Sequence, residues 1–80
     1  MEKRLALIGI VVEDKSSVET VNKLLQEYGD YIIGRMGVPH RERDISLISI
    51  AIDAPNNVIS ALSGKLGKLS GVSSKALYAK

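Results

Sequence analysis

Apolar and polar residues are grouped along this 80-residue chain in a way that predicts four strands and two helices. The strands are predicted at residues 5–12, 31–38, 45–52 and 72–79. The first and third are continuous apolar runs rich in β-branched residues, which is typical of strands buried on both faces. The second is weaker, because Gly34 and Gly37 suggest a bulge or a close approach and Pro39 is expected to end it.

Two segments between the strands carry apolar residues at helical spacing. The first stripe consists of Val18, Val21, Leu24, Leu25 and Tyr28, and the second of Val58, Ile59, Leu62, Leu66 and Leu69. Ser16 and Glu19 have the spacing of a capping box at the start of the first helix, and Gly29 is placed to end it. Asp53 is the expected N-terminal cap of the second helix, and Gly71 is expected to end that helix.

The predicted order is strand, helix, strand, strand, helix, strand, and no segment is left over. This order predicts an α+β fold, the ferredoxin-like βαββαβ sandwich, in which two helices cover one face of a four-stranded antiparallel sheet. In that plan the first and third strands are central, which agrees with their being the most apolar. We expect one domain over residues 1–80, because a chain of this length builds a single small core.

Both faces of the central strands are apolar, although two helices can cover only one face of the sheet. In the first strand Leu5, Leu7 and Val11 point away from Ala6 and Ile8, and the third strand alternates in the same way. Apolar burial stabilises by roughly 25 cal/mol per Å², so an uncovered apolar face favours association. We therefore expect a homodimer or tetramer formed through the sheet. The alternative is a monomer that leaves this face in water.

Composition and charge narrow the range of functions. The chain has no cysteine, which excludes disulfides, thiolate catalysis and cysteine metal sites. Its net charge of +2 does not by itself indicate nucleic-acid binding. The N-terminal apolar run is too short to span a membrane, and cleaving it as a signal peptide would delete the first strand. We expect a cytoplasmic protein without a cofactor and without membrane association.

The connection after the second strand has the highest density of residues suited to binding. The candidate ligand-binding residues are Gly34, Arg35, Gly37, His40 and Arg41. Cationic side chains can hold a phosphate or carboxylate, and glycines allow backbone N–H groups to approach the same ligand. Two alternatives remain. One is a solvated hairpin in which Glu42 and Asp44 neutralise two arginines, and the other is a nucleic-acid contact.

Other candidate groups give weaker evidence of metal binding or catalysis. His40 could bind a metal only if symmetry-related copies supplied further ligands, so no metal site is expected. Glu13, Asp14 and Asp53 lie at strand ends, but nothing in the sequence indicates the burial that general acid–base catalysis requires. The serines lack a Gly-x-Ser-x-Gly motif and a base. We expect no enzymatic activity. An enzyme would need a carboxylate or histidine with a shifted pKa in a cleft.

Three stretches carry a resemblance to a known family: "YIIGRMGVP", "ISLISIAIDAP" and "LSGKLGKLSGV". With them, essentially the whole chain resembles the small ACT-like proteins described as iron-only hydrogenase system regulators. The resemblance implies an ACT-like ferredoxin fold, related in shape to the regulatory domain of nickel-responsive repressors. It also implies an oligomer that acts in regulation, here as a transcriptional regulator that senses a small molecule, rather than in catalysis.

The chain departs from the relatives of that family in two places. Amino-acid-binding ACT domains usually have an Asp-x-Pro-Gly-like loop where this chain has "EDKSS". One histidine and no cysteine exclude a square-planar nickel site within one subunit. Since no DNA-binding helical segment is present, we expect no direct DNA binding and instead a regulatory protein partner. We expect a small anionic effector at a subunit interface. The alternative is a ligand-free protein–protein interaction domain.

Overall fold

The computed structural model describes residues 2–80 and contains the predicted elements in the predicted order, with Met1 outside the described residues. The strands are β1 (Lys3–Val12), β2 (Ile32–His40), β3 (Ile45–Pro55) and β4 (Val72–Tyr78), and the helices are α1 (Val18–Glu27) and α2 (Asn56–Gly67). A short 3-10 helix, Lys15–Ser17, leads into α1. No helix among the described residues is long and apolar enough to cross a membrane.

The four strands form one antiparallel sheet in the order β2-β3-β1-β4. The two most apolar strands, β1 and β3, are therefore central, and β2 and β4 are at the edges. This arrangement confirms the predicted α+β, ferredoxin-like fold. A register shift between Ile32 and Gly34 confirms the bulge that the glycines of the second strand suggested.

The core lies between the helices and one face of the sheet, which we call the covered face. Its buried apolar residues are Ala6, Ile8, Ile10, Val12, Val21, Leu25, Ile50, Ile52, Ala54, Ile59, Leu62, Leu66 and Val72. They include members of both predicted helical stripes, and the other stripe residues pack against them partly buried. The opposite face of the sheet, which we call the open face, carries no helix.

The strands β2 and β3 both end later than predicted. Pro39 does not end β2, which continues to His40. Since β2 is an edge strand, it can accommodate a proline. β3 runs on to Pro55 because β1 pairs with it over that whole length, up to Lys3 opposite Pro55. Asp53 therefore lies in β3 and not at the cap of α2, whose N-cap position is Pro55 with no side-chain capping bond.

The predicted capping box at the start of α1 is wrong, because Asp14 caps this region instead. The Asp14 Oδ1 atom accepts hydrogen bonds from the Ser16 N–H at 2.9 Å and the Ser16 hydroxyl at 2.7 Å. Ser17 occupies the N-cap position of α1 and makes no side-chain capping bond. Hydrogen bonds from Ser16, and then from Ser70, hold the pKa of the Asp14 carboxyl below its usual value.

The Asp14 loop is tied to the turn before β4, and we call this set of contacts the clamp. The Ser70 hydroxyl donates to Asp14 Oδ2 at 2.8 Å, and the buried Ser17 hydroxyl donates to the Ser70 carbonyl at 2.6 Å. Gly71 follows with a φ of 66°, and a Cβ placed there would lie 2.6 Å from Asp14 Cβ. Only glycine fits this left-handed position against the neighbouring backbone. Gly71 thus ends the turn after α2, which itself stops at Gly67.

Candidate functional site

The open face of the sheet is broadly apolar. Seven large aliphatic side chains of the described residues are about half exposed or more: Leu5, Leu7, Ile33, Met36, Val38, Leu47 and Leu77. Most are brought together by strand register, since Leu7 pairs with Leu77 on β4 and Val38 pairs with Leu47 on β3. The alternation of apolar side chains along the central strands predicted this surface. The single chain leaves it uncovered.

A groove on the other side of the sheet runs between α1 and the edge strand β2. Two adjoining depressions form its middle and one end, with volumes of about 260 Å³ and 440 Å³. Asn22 of α1 and Arg35 of β2 line both depressions. Val18, Val21 and other apolar side chains form the floor of the middle part. The groove therefore combines an apolar floor with a cationic group.

Arg35 is held across this groove by a single hydrogen bond. One of its terminal nitrogens donates to Asn22 Oδ1 at 2.6 Å, joining β2 to α1. Arg35 points to this side because it pairs with Ile50, whose side chain is buried on the covered face. No carboxylate lies within ion-pair distance of Arg35 among the described residues, so its charge remains available to a ligand.

The other end of the groove lies at the β2–β3 hairpin. A third depression of about 450 Å³ adjoins the middle one there, and His40, Arg41 and Lys15 are among its lining residues. The His40 Nδ1 atom accepts a hydrogen bond from the Arg43 N–H at 3.3 Å, which turns the imidazole into the hairpin. Asp44 pairs with Lys15 at 3.0 Å. The solvated-hairpin alternative has Asp44 neutralising an arginine, whereas among the described residues Asp44 pairs with Lys15.

The structure brings together some of the predicted site residues and separates others. Arg35 and Gly37 line the middle depression, while His40 and Arg41 line the depression at the hairpin end. Gly34 pairs with Ala51, and a Cβ placed at Gly34 would meet the Ala51 side chain on the open face. The five residues thus follow one edge of the sheet rather than surround a single cavity.

Two contributors to this region were missed by sequence reasoning. Asn22 lies on the polar side of α1, and nothing in its local sequence indicates that it meets an arginine 13 positions later. Lys15 reaches the hairpin through its ion pair with Asp44, which has a positive φ of 59° in the turn. Within residues 2–80, no group of three or more His, Cys, Asp or Glu side chains is placed to hold a metal ion.

Comparison with known proteins gives a family and a fold. A protein-family model matches residues 4–76. The family is described, provisionally, as TM1266-like, iron-only hydrogenase system regulator. The solved structure of the uncharacterized protein TM1266 from Thermotoga maritima superposes with a TM-score of 0.95. It is 39% identical, and the match covers 99% of this chain and 100% of that one.

A second solved structure shares the fold alone. A formyltetrahydrofolate deformylase from Pseudomonas putida KT2440 superposes with a TM-score of 0.62 at 15% identity. The match covers 96% of this chain but only 29% of the deformylase. No curated protein matches the sequence significantly.

Proposed function

Because the chain belongs to the family of iron-only hydrogenase system regulators, we propose that it is a non-catalytic sensor in such a system. It works as a homo-oligomer that binds a small anionic effector, and the effector shifts the equilibrium between states of the assembly or of a protein partner. Through that partner it changes transcription without itself contacting DNA.

The groove beside α1 is the observation that carries the sensor proposal. It places an arginine without a carboxylate partner above an apolar floor, which suits a small molecule with one anionic group and a short apolar part. Arg35 binds the anionic group, and Asn22 sets the direction of its guanidinium. His40 and Arg41 add positive charge toward the hairpin end of the groove. Since the groove follows the edge strand β2, a neighbouring subunit of a tetramer can close it.

Native mass spectrometry of the protein purified from its own source tests the sensor proposal. We expect the assembly to carry added mass from a retained effector. An Arg35→Gln variant should lose that mass, because the carboxamide cannot replace the charge-assisted hydrogen bonds. Lys23→Gln, which removes one positive charge from the exposed surface of α1, is the matched control and should retain it.

The same experiment separates this proposal from the second candidate function. A ligand-free interaction domain is favoured by the long, exposed edge strand β2, whose backbone groups can pair with a strand of a partner. That function predicts no added mass in any of the three proteins. Retention of the small molecule by Arg35→Gln at the wild-type level would contradict the role of Arg35.

A further inference from the structure

The β2–β3 hairpin and the loop before α1 form a depression in which hydrogen-bond donors outnumber acceptors. Its volume is about 450 Å³, and its polar side chains are those of Lys15, His40, Arg41, Asp44 and Ser46. Lys15 and Arg41 each carry a full positive charge. The His40 Nδ1 atom accepts the Arg43 N–H, so in the neutral ring the proton is on Nε2, which can donate to a ligand.

Asp44 supplies the only carboxylate among the residues that line this depression. Its Oδ1 atom pairs with Lys15 Nζ at 3.0 Å, which joins the hairpin turn to the loop before α1. The two side chains are 60% and 75% exposed, and an ion pair this open to solvent is weak. An anion with more charge than one carboxylate can therefore take the place of Asp44 beside Lys15.

We propose that the hairpin depression is a second anion site, specific for a phosphoryl group, and that Asp44 is its built-in competitor. A phosphoryl group carries about −1.5 to −2 charges and three acceptor oxygens, which match the donors of Lys15, Arg41 and His40. A free carboxylate brings only the charge that Asp44 already supplies from within the chain. The site does not depend on Arg35, which is not among its lining residues.

The floor of the depression has room for an organic part of the ligand. Val12, Val18, Pro39 and Ile45 line it beside the charged groups. Its volume lies within the roughly 300–1,000 Å³ of small-molecule sites. The ligand is therefore inorganic phosphate or the phosphate monoester of a small molecule, and the phosphoryl group is common to both.

Titration of the ¹⁵N-labelled full chain, followed by NMR, tests this site with inorganic phosphate, phenyl phosphate and acetate as probes. Phosphate should shift the amide signals of residues 40–44 in a saturable way, and acetate should bind more weakly. Tighter binding of phenyl phosphate than of phosphate would assign the apolar floor to an organic part, and equal binding would assign the site to free phosphate. If sodium chloride at equal ionic strength or acetate gives the same shifts as phosphate, there is no phosphoryl site.

Asp44→Asn tests the competition directly. Asparagine tolerates the φ of 59° at this position, so the turn is kept while Lys15 is released. Phosphate should then bind about two- to fivefold more tightly, which is the range that an exposed ion pair contributes. Lys15→Gln should weaken phosphate binding. If Asp44→Asn binds phosphate no more tightly than wild type, Asp44 is not a competitor.

Two control variants separate this site from net charge and from the Arg35 site. Asp30→Asn removes the same charge from the exposed turn after α1, outside the depression, and should bind phosphate as wild type does. An equal gain in Asp30→Asn and Asp44→Asn would overturn the local competition. Arg35→Gln should keep phosphate binding at the hairpin, even though we expect it to lose the retained effector. Failure of either site is therefore seen independently of the other.

Discussion

The two faces of the sheet are built from the same strands, but one face is buried in the folded chain and the other is exposed. On the covered face Ile8, Ile50 and Ile52 are fully buried beneath the helices. On the open face Leu7, the chain neighbour of Ile8, is 48% exposed, and Leu77 is 70% exposed. Both sets are aliphatic, so hydrophobicity alone does not distinguish them. Coverage by the two helices does.

The apolar residues of the covered face serve folding, and those of the open face remain for association. Burial on the covered face stabilises the chain during folding itself. The open face is buried only in part when a single chain folds, and its exposed remainder retains a driving force for association. The arginine groove lies on the helix side of the sheet, so effector binding and sheet-to-sheet association can occupy separate surfaces of one small domain.

The largest expected difference between the faces comes from paired truncations in β1. Ile8→Ala should lower the free energy of unfolding by about 2–5 kcal/mol, because it leaves a cavity in a fully buried site. Leu7→Ala removes a similar volume from the open face and should mainly weaken self-association. Urea denaturation at several protein concentrations checks this. The Leu7→Ala effect should shrink on dilution, and the Ile8→Ala effect should persist.

A single glycine substitution in the clamp should have the next largest effect. Gly71→Ala should destabilise the chain by about 1–3 kcal/mol or more, since it forces alanine into a left-handed conformation. Its Cβ would also press on the backbone of Asp14. Thermal unfolding measures this loss. Gly64→Ala on the exposed side of α2 should instead raise stability, and equal effects of the two substitutions would contradict the steric account of Gly71.

The smallest expected effect is a dependence of folding stability on pH, which arises from Asp14 in the clamp. The Asp14 carboxyl has a lowered pKa in the folded chain because Ser16 and Ser70 donate hydrogen bonds to it. Its contribution is fully present above the unfolded pKa of about 4, and it is lost as the pH falls through the lower folded value. Asp14→Asn should therefore show a shallower loss of stability below pH of about 4. Chemical denaturation at a series of pH values measures this. If the free energy of unfolding falls as steeply with pH in Asp14→Asn as in wild type, the role of Asp14 is contradicted.

The fold could be predicted from the sequence because local patterns and the global plan agree. Continuous apolar runs predicted the central strands, and their double-sided character predicted the open face. The errors at Pro39 and Asp53 have one origin, since strand pairing with a neighbour overrode local signals for ending a strand. An edge position tolerated the proline, and pairing with Leu5 drew Asp53 into β3.

The candidate site could be predicted only in part, because its contacts join residues distant in sequence. Arginine and glycine density pointed to the β2 edge. Asn22 could be identified as the partner of Arg35 only from the structure, which places α1 beside that edge. In the same way, Asp14 meets Ser70 across 56 positions, which no local capping pattern encodes. Residue types indicate the chemistry available, and tertiary structure decides which of them meet.

Coverage of the open face by a second copy of the chain is tested by the mass of the protein in solution. Sedimentation equilibrium of the wild-type chain should give two or four times the 8.6 kDa of one subunit. Leu77→Lys, which places a charge on the open face, should give a folded monomer. Ser60→Lys on the exposed surface of α2 should associate as wild type does. A monomeric wild type, or a Leu77→Lys variant that associates normally, would contradict the account.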